Sequence, residues 1–370
     1  MNIGVICTSD GFGGLELNLI KLARWLKERG HRITYITGTN SRMHKKGLDT
    51  DLDPILLKKT SQRYPVFAAR KLAQICKEKD IQNLIFSFSR DIDLCVFAKF
   101  YQSNLKLYFL QQMEVGVNKK GFIHNFLFGK LEKWITPLPW LKKQLKEKTN
   151  IKEEKIAEIP LCIDIDKFYA NPLSKIQARE KIGIKTQDIL IGIVGRIDRA
   201  KGIHNVVEAF NLIQEKFPKV ELLIVGEASP HDPVKMKYFE DLKKSIASCK
   251  APNRIQLQDF RSDVENVYRA LDIFIMASLA ETFGMVTVEA MASGNYVIGT
   301  NYGGSADILE HGKLGELFEV DNSNELAQKL EKVLSHWDDY KDTNHLQEVA
   351  KKKYSHNQMC EMIENLIDQQ

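Results

Sequence analysis

The chain has 370 residues, 44% hydrophobic and 27% charged, with a formal net charge of +5. That length exceeds what a single core comfortably fills, so two domains are expected, and no apolar run approaches the length that spans a bilayer. Six scattered cysteines (Cys7, Cys76, Cys95, Cys162, Cys249, Cys360), with no CxxC and no neighbouring histidine cluster, argue against a zinc site or a disulfide framework.

The first half alternates strands and helices. IGVIC (3–7) reads as a buried strand, residues 15–29 as a helix ended by Gly30, and RITYIT (32–37) as the next strand. NLIFSF (83–88) and LKLYFL (105–110) follow. A turn-rich, basic stretch then leads through a helix at 141–148 to KIAEIPL (155–161). The second half repeats the logic with DILIGIVG (188–195), VELLIVG (220–226), RIQLQDF (254–260), LDIFIMAS (271–278) and NYVIGT (295–300). Helices are expected at about 203–216, 234–247, 264–270 and 286–293. Strands alternating with helices of this length predict an α/β protein with parallel sheets built from βαβ units. Domains are expected over 1–165 and 166–350, facing each other across a cleft, with residues 351–370 forming a helix that returns to the first. The opening NIGVIC reads as a strand rather than a leader peptide, so a cytoplasmic protein is expected.

The net charge hides an asymmetry. Residues 1–165 hold 28 Lys and Arg against 17 Asp and Glu, whereas the remainder holds 25 against 31. Within residues 99–155, 12 lysines are interleaved with Phe122, Phe126, Phe128, Trp134 and Trp140. Basic residues beside apolar anchors suit a peripheral contact with an anionic membrane. The same pattern also suits a solvated lysine face over an ordinary core.

Four short segments carry candidate chemistry, each at the C-terminal end of a strand, where open α/β sheets bind ligands. Asp10-Gly11-Phe12-Gly13-Gly14 opens the first helix and either lets a ligand approach the backbone or forms a tight turn. A dinucleotide fingerprint needs a glycine where Glu16 stands and an acid where Thr37 ends the second strand, so a nicotinamide enzyme is not expected. Gly195-Arg196-Ile197-Asp198-Arg199-Ala200-Lys201-Gly202 brings two cations, Arg196 and Lys201, to the next such edge, as a diphosphate leaving group requires. Glu281 and Glu289, with Phe283-Gly284-Met285 between them, place one carboxylate in a loop and one on the following helix, whose free N–H groups make an anion site. Taken alone, the two carboxylates fit a glycosidase acid and base or mere surface charge. The cationic loop on the same sheet edge favours a nucleotide-sugar site. Asn301-Tyr302-Gly303-Gly304 lines that edge after the next strand.

The segments GFGGLELNLIKLARWLKERGHRITYIT, VGRIDRAKG, VGEASP, AETFGMVTVEAMASG and NYGGSADIL, in this order and spacing, resemble glycosyltransferase family 4, retaining enzymes of the GT-B fold. They span nearly the whole chain, and the second-domain motifs are the stronger match. The resemblance implies two Rossmann-like domains and transfer of a sugar from a nucleoside-diphosphate sugar to a glycan or lipid-linked acceptor. Neither a metal nor another cofactor is implied, and no nucleic acid partner. By position, Arg196 and Lys201 would hold the donor diphosphate, Glu289 the ribose and Glu281 the transferred sugar. The backbone of Gly195, Phe283, Gly284, Met285 and Val286 would complete the donor site. Gly13 and Gly14 would approach the donor phosphate or the acceptor. Two departures stand out. The loop where many members carry a histidine reads Gln111-Gln112-Met113-Glu114, so Gln111, Gln112 or Glu114 would supply the sugar contact. Asn295-Tyr296 replaces a common Pro-Val pair at a strand entry, with little chemical consequence expected. An epimerase or hydrolase on the same fold, or a non-catalytic sugar-nucleotide-binding partner, are the competing readings.

Overall fold

A computed structural model describes residues 1–11, 13–39, 41–48, 50–58 and 65–369. The chain forms two compact units, Met1–Leu161 with His356–Gln370 and Cys162–Ser355.

The first unit holds seven parallel strands: β1 (Asn2–Cys7), β2 (Arg32–Gly38), β3 (Ile55–Leu57), β4 (Asn83–Phe86), β5 (Lys106–Leu110), β6 (Lys133–Thr136) and β7 (Ile156–Glu158). Their spatial order is β3-β2-β1-β4-β5-β6-β7. The order reverses between β1 and β4, where Ile3 stands opposite Asn83. Ile3, Val5, Ile6 and Cys7 of β1 are all fully buried, as expected of a strand covered on both faces by crossover helices. The stretch read as turn-rich contains a helix, Phe122–Gly129, and β6. Trp134 of β6 packs edge-on against Phe109 (4.6 Å between ring centres) and Phe128 (5.0 Å) in the core of this unit. A four-residue strand that opens on Lys133 and runs into Pro137 carries too little alternation to stand out in the sequence.

The chain returns to this unit with helix His356–Asp368, against helix Gly14–Glu28. His356 stacks on Trp25 at 5.2 Å. Glu364 accepts two hydrogen bonds from Arg29, at 2.7 and 2.6 Å, and lies 2.7 Å from His31 Nε2.

The second unit holds six parallel strands: β8 (Ile189–Val194), β9 (Val220–Val225), β10 (Ile255–Gln258), β11 (Ile273–Met276), β12 (Tyr296–Thr300) and β13 (Glu316–Phe318). Their order is β10-β9-β8-β11-β12-β13, again reversing about the first strand, between β8 and β11. Helix Asn344–Tyr354 packs against helix Met285–Ala292 and stays with this unit. Gln347 donates to Ala292 O (3.0 Å), and the preceding Thr343 donates to Gly294 O (2.8 Å). Strands β4, β10 and β11 stop one or two residues before their sequence-based ends. After β4 and β11 the residues released enter loops that carry or line the candidate sites.

Candidate functional site

The reversal between β8 and β11 opens the sheet edge of the second unit. The loop leaving β8 runs over Gly195 and Arg196, buries Ile197 and Asp198, and closes in a single turn, Arg199–Lys201, before helix Ile203–Ile213. Gly202 joins turn and helix at φ +63°, and a Cβ there would meet the carbonyl oxygen of Ala277 at 2.0 Å. Only glycine allows the cationic loop to press this closely on the end of β11.

Backbone hydrogen bonds stitch neighbouring loops together at this edge. Leu279 N donates to Ala200 O at 2.8 Å, and Gly304 N donates to Glu281 O at 2.9 Å. The loops after β8, β11 and β12 are therefore tied to one another. Across the first seam, Lys201 Nζ pairs with Glu281 Oε2 at 2.8 Å, with both side chains about three-quarters buried or more. Arg196 is mostly exposed and lies 3.6 Å from the carboxylate of Asp198 in its own loop.

Gly284, at φ +100°, caps helix Met285–Ala292, and Phe283 beside it is buried. The N–H groups of Met285 and Val286 open this helix without intrahelical partners, at its positive end. Glu289 lies one turn further on and accepts a hydrogen bond from Tyr268 at 3.0 Å. Burial and the adjacent Glu289 carboxylate hold the Tyr268 hydroxyl well above the ordinary tyrosine range, so it remains a donor. Sequence reading missed Tyr268, which looks like a core aromatic 21 residues before its partner. Asn295, expected to matter little, is fully buried and donates to Tyr268 O (2.9 Å) and Leu271 O (3.0 Å). It holds the end of the helix that carries Tyr268.

Gly195, Arg196, Lys201, Glu281, Phe283–Val286 and Glu289 thus all belong to one unit and one sheet edge. The remaining candidates belong to the first unit, at its own strand-order reversal. There Thr8, after β1, is joined through its N–H (2.8 Å) and its hydroxyl to the buried carboxylate of Asp91, after β4. A cavity of about 490 Å³ opens beside them. Its wall includes Gly13, Gly14, Ser87, Glu114, Lys119 and Trp134. Phe12 lies outside the described residues.

Glu16 has a definite task in this cavity. Its carboxylate accepts from Ser9 Oγ at 2.6 Å and from the Gly13 N–H at 2.9 Å. The N-terminus of helix Gly14–Glu28 is thereby served by an internal anion, and a phosphate placed there would face Glu16. Gln111 and Gln112 are buried and hold the structure together. Gln111 donates to Met113 O (3.1 Å) and accepts from Trp134 Nε1 (3.0 Å). Gln112 donates to Leu15 O (3.1 Å) and Ser87 Oγ (3.0 Å) and accepts from Asn18 (3.0 Å). Glu114 is half-buried on the cavity wall and accepts from Gln144 at 2.8 Å.

These two units define a fold class, which the comparisons specify. Over its full length the chain superposes on Anabaena HepE, a structure solved with UDP, at a TM-score of 0.87 and 19% identity, covering 100% of both chains. The same protein has also been solved with UDP-glucose. The fold is GT-B, two Rossmann-like domains. Residues 174–353, just under half of the chain, match the family Glycosyl transferases group 1, so the chain is similar to the group 1 glycosyltransferases, glycosyltransferase family 4. Among curated proteins it is 30% identical over 184 residues to a D-inositol 3-phosphate glycosyltransferase of Corynebacterium urealyticum, covering 49% of this chain and 43% of that one. It is 30% identical over 148 residues to the capsular polysaccharide biosynthesis glycosyltransferase CapM of Staphylococcus aureus, covering 40% and 37%. The chain therefore spans less than half the length of these curated relatives.

Proposed function

We propose that the protein is a retaining glycosyltransferase that moves a sugar from a nucleoside-diphosphate sugar to a hydroxyl of a glycan or lipid-linked acceptor at the cytoplasmic face of a membrane. The observation that carries this reading is the Lys201–Glu281 pair at 2.8 Å, set where the strand order of the second unit reverses. It puts a cation for the leaving group and a carboxylate for sugar hydroxyls within one hydrogen bond of each other.

The donor diphosphate lies against Lys201 and Arg196, near the Gly195 backbone and the N–H groups of Met285 and Val286. Glu289, oriented by Tyr268, accepts from the ribose hydroxyls. Glu281 accepts from the transferred sugar. As the bond from the anomeric carbon to the phosphate oxygen breaks, charge builds on the diphosphate, and fixed cations and N–H groups lower the barrier to departure. The acceptor oxygen attacks from the same face, and its proton passes to the departing phosphate oxygen. The acceptor occupies the cavity of the first unit, beside Gly13, Gly14 and Glu114. Glu16 makes that position unsuitable for the donor phosphates. Gln111 and Gln112 shape the loop rather than touch the sugar.

UDP-sugars are the first donors to try, since HepE is a structural neighbour that binds UDP and UDP-glucose. Product analysis tests the reaction type. The expected result is a glycosidic product with the donor's anomeric configuration, formed only when acceptor is present. Free sugar or an isomerised nucleotide sugar as the main product, with or without acceptor, would identify a hydrolase or an epimerase instead.

A further inference from the structure

The first unit carries an apolar face that its own core does not use. In helix Phe122–Gly129, Phe128 turns inward at 3% exposure, whereas Phe122 is 86% and Ile123 61% exposed. Phe126, one turn after Phe122, lies on the same side and remains exposed. The end of the neighbouring helix, Ile92–Tyr101, extends the patch. The Phe100 ring stacks on Phe126 with centres 6.1 Å apart, and Tyr101 beside it is half exposed. A continuous cluster of large apolar side chains is unusual on a soluble surface and marks a contact site.

The charges around the patch identify what it contacts. Lys120 precedes the helix, and Lys130 ends it with Nζ 5.6 Å from the centre of the Phe126 ring. Lys155, Lys130 and Lys106 all lie close enough to repel the Lys99 ammonium. Burial foremost, opposed by Glu132 and aided by these three lysines, holds Lys99 below the usual lysine range. Apolar tips framed by ammonium groups match the two layers of an anionic bilayer surface, acyl boundary and headgroup. An acidic protein partner would satisfy the lysines but not the aromatic tips.

We propose that the Phe122–Ile123–Phe126 face, with Phe100 and Tyr101, inserts into the interface of an anionic membrane while Lys120 and Lys130 engage lipid headgroups. The loop that leads into this helix includes Glu114, Val115 and Lys119, which line the cavity assigned to the acceptor. Docking would therefore bring that cavity to the surface from which a lipid-linked acceptor arrives. This purpose rests on the transferase reading; the docking itself does not. The arrangement also separates two kinds of aromatic in the basic stretch: Phe122 and Phe126 are anchors, whereas Phe128 and Trp134 are core.

The test is co-sedimentation of the full chain with vesicles of phosphatidylcholine alone or mixed with phosphatidylglycerol. Wild type should sediment with the mixed vesicles, be released by salt, and remain free of the neutral ones. Phe122→Ser/Ile123→Ser should weaken the binding about tenfold or more, and Lys120→Glu/Lys130→Glu should abolish the preference for anionic lipid. Both variants change exposed residues and should keep the wild-type melting temperature and its shift with UDP. Equal binding by wild type and the Phe122/Ile123 variant, or no binding by wild type, would overturn the proposal. If nucleotide still shifts the melting temperature in that case, the transferase reading stands without it. A dimer in solution that Phe122→Ser/Ile123→Ser dissociates, with no vesicle binding, would assign the face to a second copy and equally overturn it.

Discussion

Lys201 Nζ and Glu281 Oε2 meet at 2.8 Å although the residues are 80 apart in sequence. Each is supplied by a different strand-end loop, and the loops are tied by the hydrogen bond from Leu279 N to Ala200 O. Without nucleotide, the carboxylate keeps the lysine placed and neutralised. In the proposed reaction, a diphosphate arriving at this edge would share or take over that ammonium, leaving the carboxylate for sugar hydroxyls.

Arg196→Ala and Lys201→Ala should each lower turnover by about 10²-fold or more, comparable to the loss of one oxyanion-hole donor. Steady-state kinetics with a working donor and acceptor checks this, and near-normal turnover in both variants would remove these residues from the diphosphate site. Lys201→Met should also destabilise the fold by about 1–2 kcal/mol, because it strands a mostly buried carboxylate. Adding Glu281→Gln should recover part of that loss in denaturant unfolding.

Tyr268→Phe removes the donor that orients Glu289 while leaving the ring in the core, where Phe274 and Phe168 pack against it. The stability cost should be small, about 1 kcal/mol. Nucleoside-diphosphate affinity should fall several-fold, with a smaller change for a ligand lacking the ribose, such as pyrophosphate. Calorimetric titration of both ligands decides it; equal losses would mean that Tyr268 does not act through the ribose contact.

Much of this architecture is legible in the sequence, for reasons that can be located. Parallel strands buried on both faces, such as IGVIC and LDIFIMA, are short apolar runs that stand out against amphipathic helices. Gly202 and Gly284 mark backbone that needs glycine. The placement of the Arg196–Lys201 loop and of Glu281 is legible because both follow the ends of apolar strands, and that of Glu289 because helical spacing begins just after Gly284. What stays hidden depends on distant packing. Tyr268 supports Glu289 from another helix. The Gln111 and Gln112 amides are consumed by Trp134, Leu15, Ser87, Asn18 and Met113. Composition alone does not separate the inward Phe128 from the outward Phe122. Strands β3, β6 and β13 are too short to carry a period of their own.

Gly202→Ala forces a side chain onto the Ala277 carbonyl at a positive φ, so it should cost about 3 kcal/mol or more, or else displace the cationic loop. A variant with wild-type melting temperature and wild-type nucleotide affinity would contradict this account of the loop.

The returning C-terminal helix makes a pH prediction. Hydrogen bonds from Arg29, opposed by burial and aided by His31, hold Glu364 at about 2, against 4.5 for an ordinary glutamate. A depressed carboxylate pKa contributes stability that is complete above the unfolded value and is lost as pH falls towards the folded one. Allowing for the partial exposure of Arg29, Glu364→Gln should cost about 2 kcal/mol at neutral pH. The gap between wild type and variant should close as pH falls from near 4.5 towards 2. Unfolding curves across that range check it, and a constant gap would mean that the clamp is not ionic.

The most direct test of the central claim is a thermal-shift panel of uridine, guanosine, adenosine and cytidine diphosphates on wild type and on the Arg196→Ala/Lys201→Ala double variant. At a hundredfold excess over its dissociation constant, a nucleotide that binds only the folded protein stabilises it by about 2.7 kcal/mol. The account predicts such a shift for at least one of the four, lost in the double variant. Silence across all four, or an equal shift in the variant, would contradict a donor site built on Arg196 and Lys201.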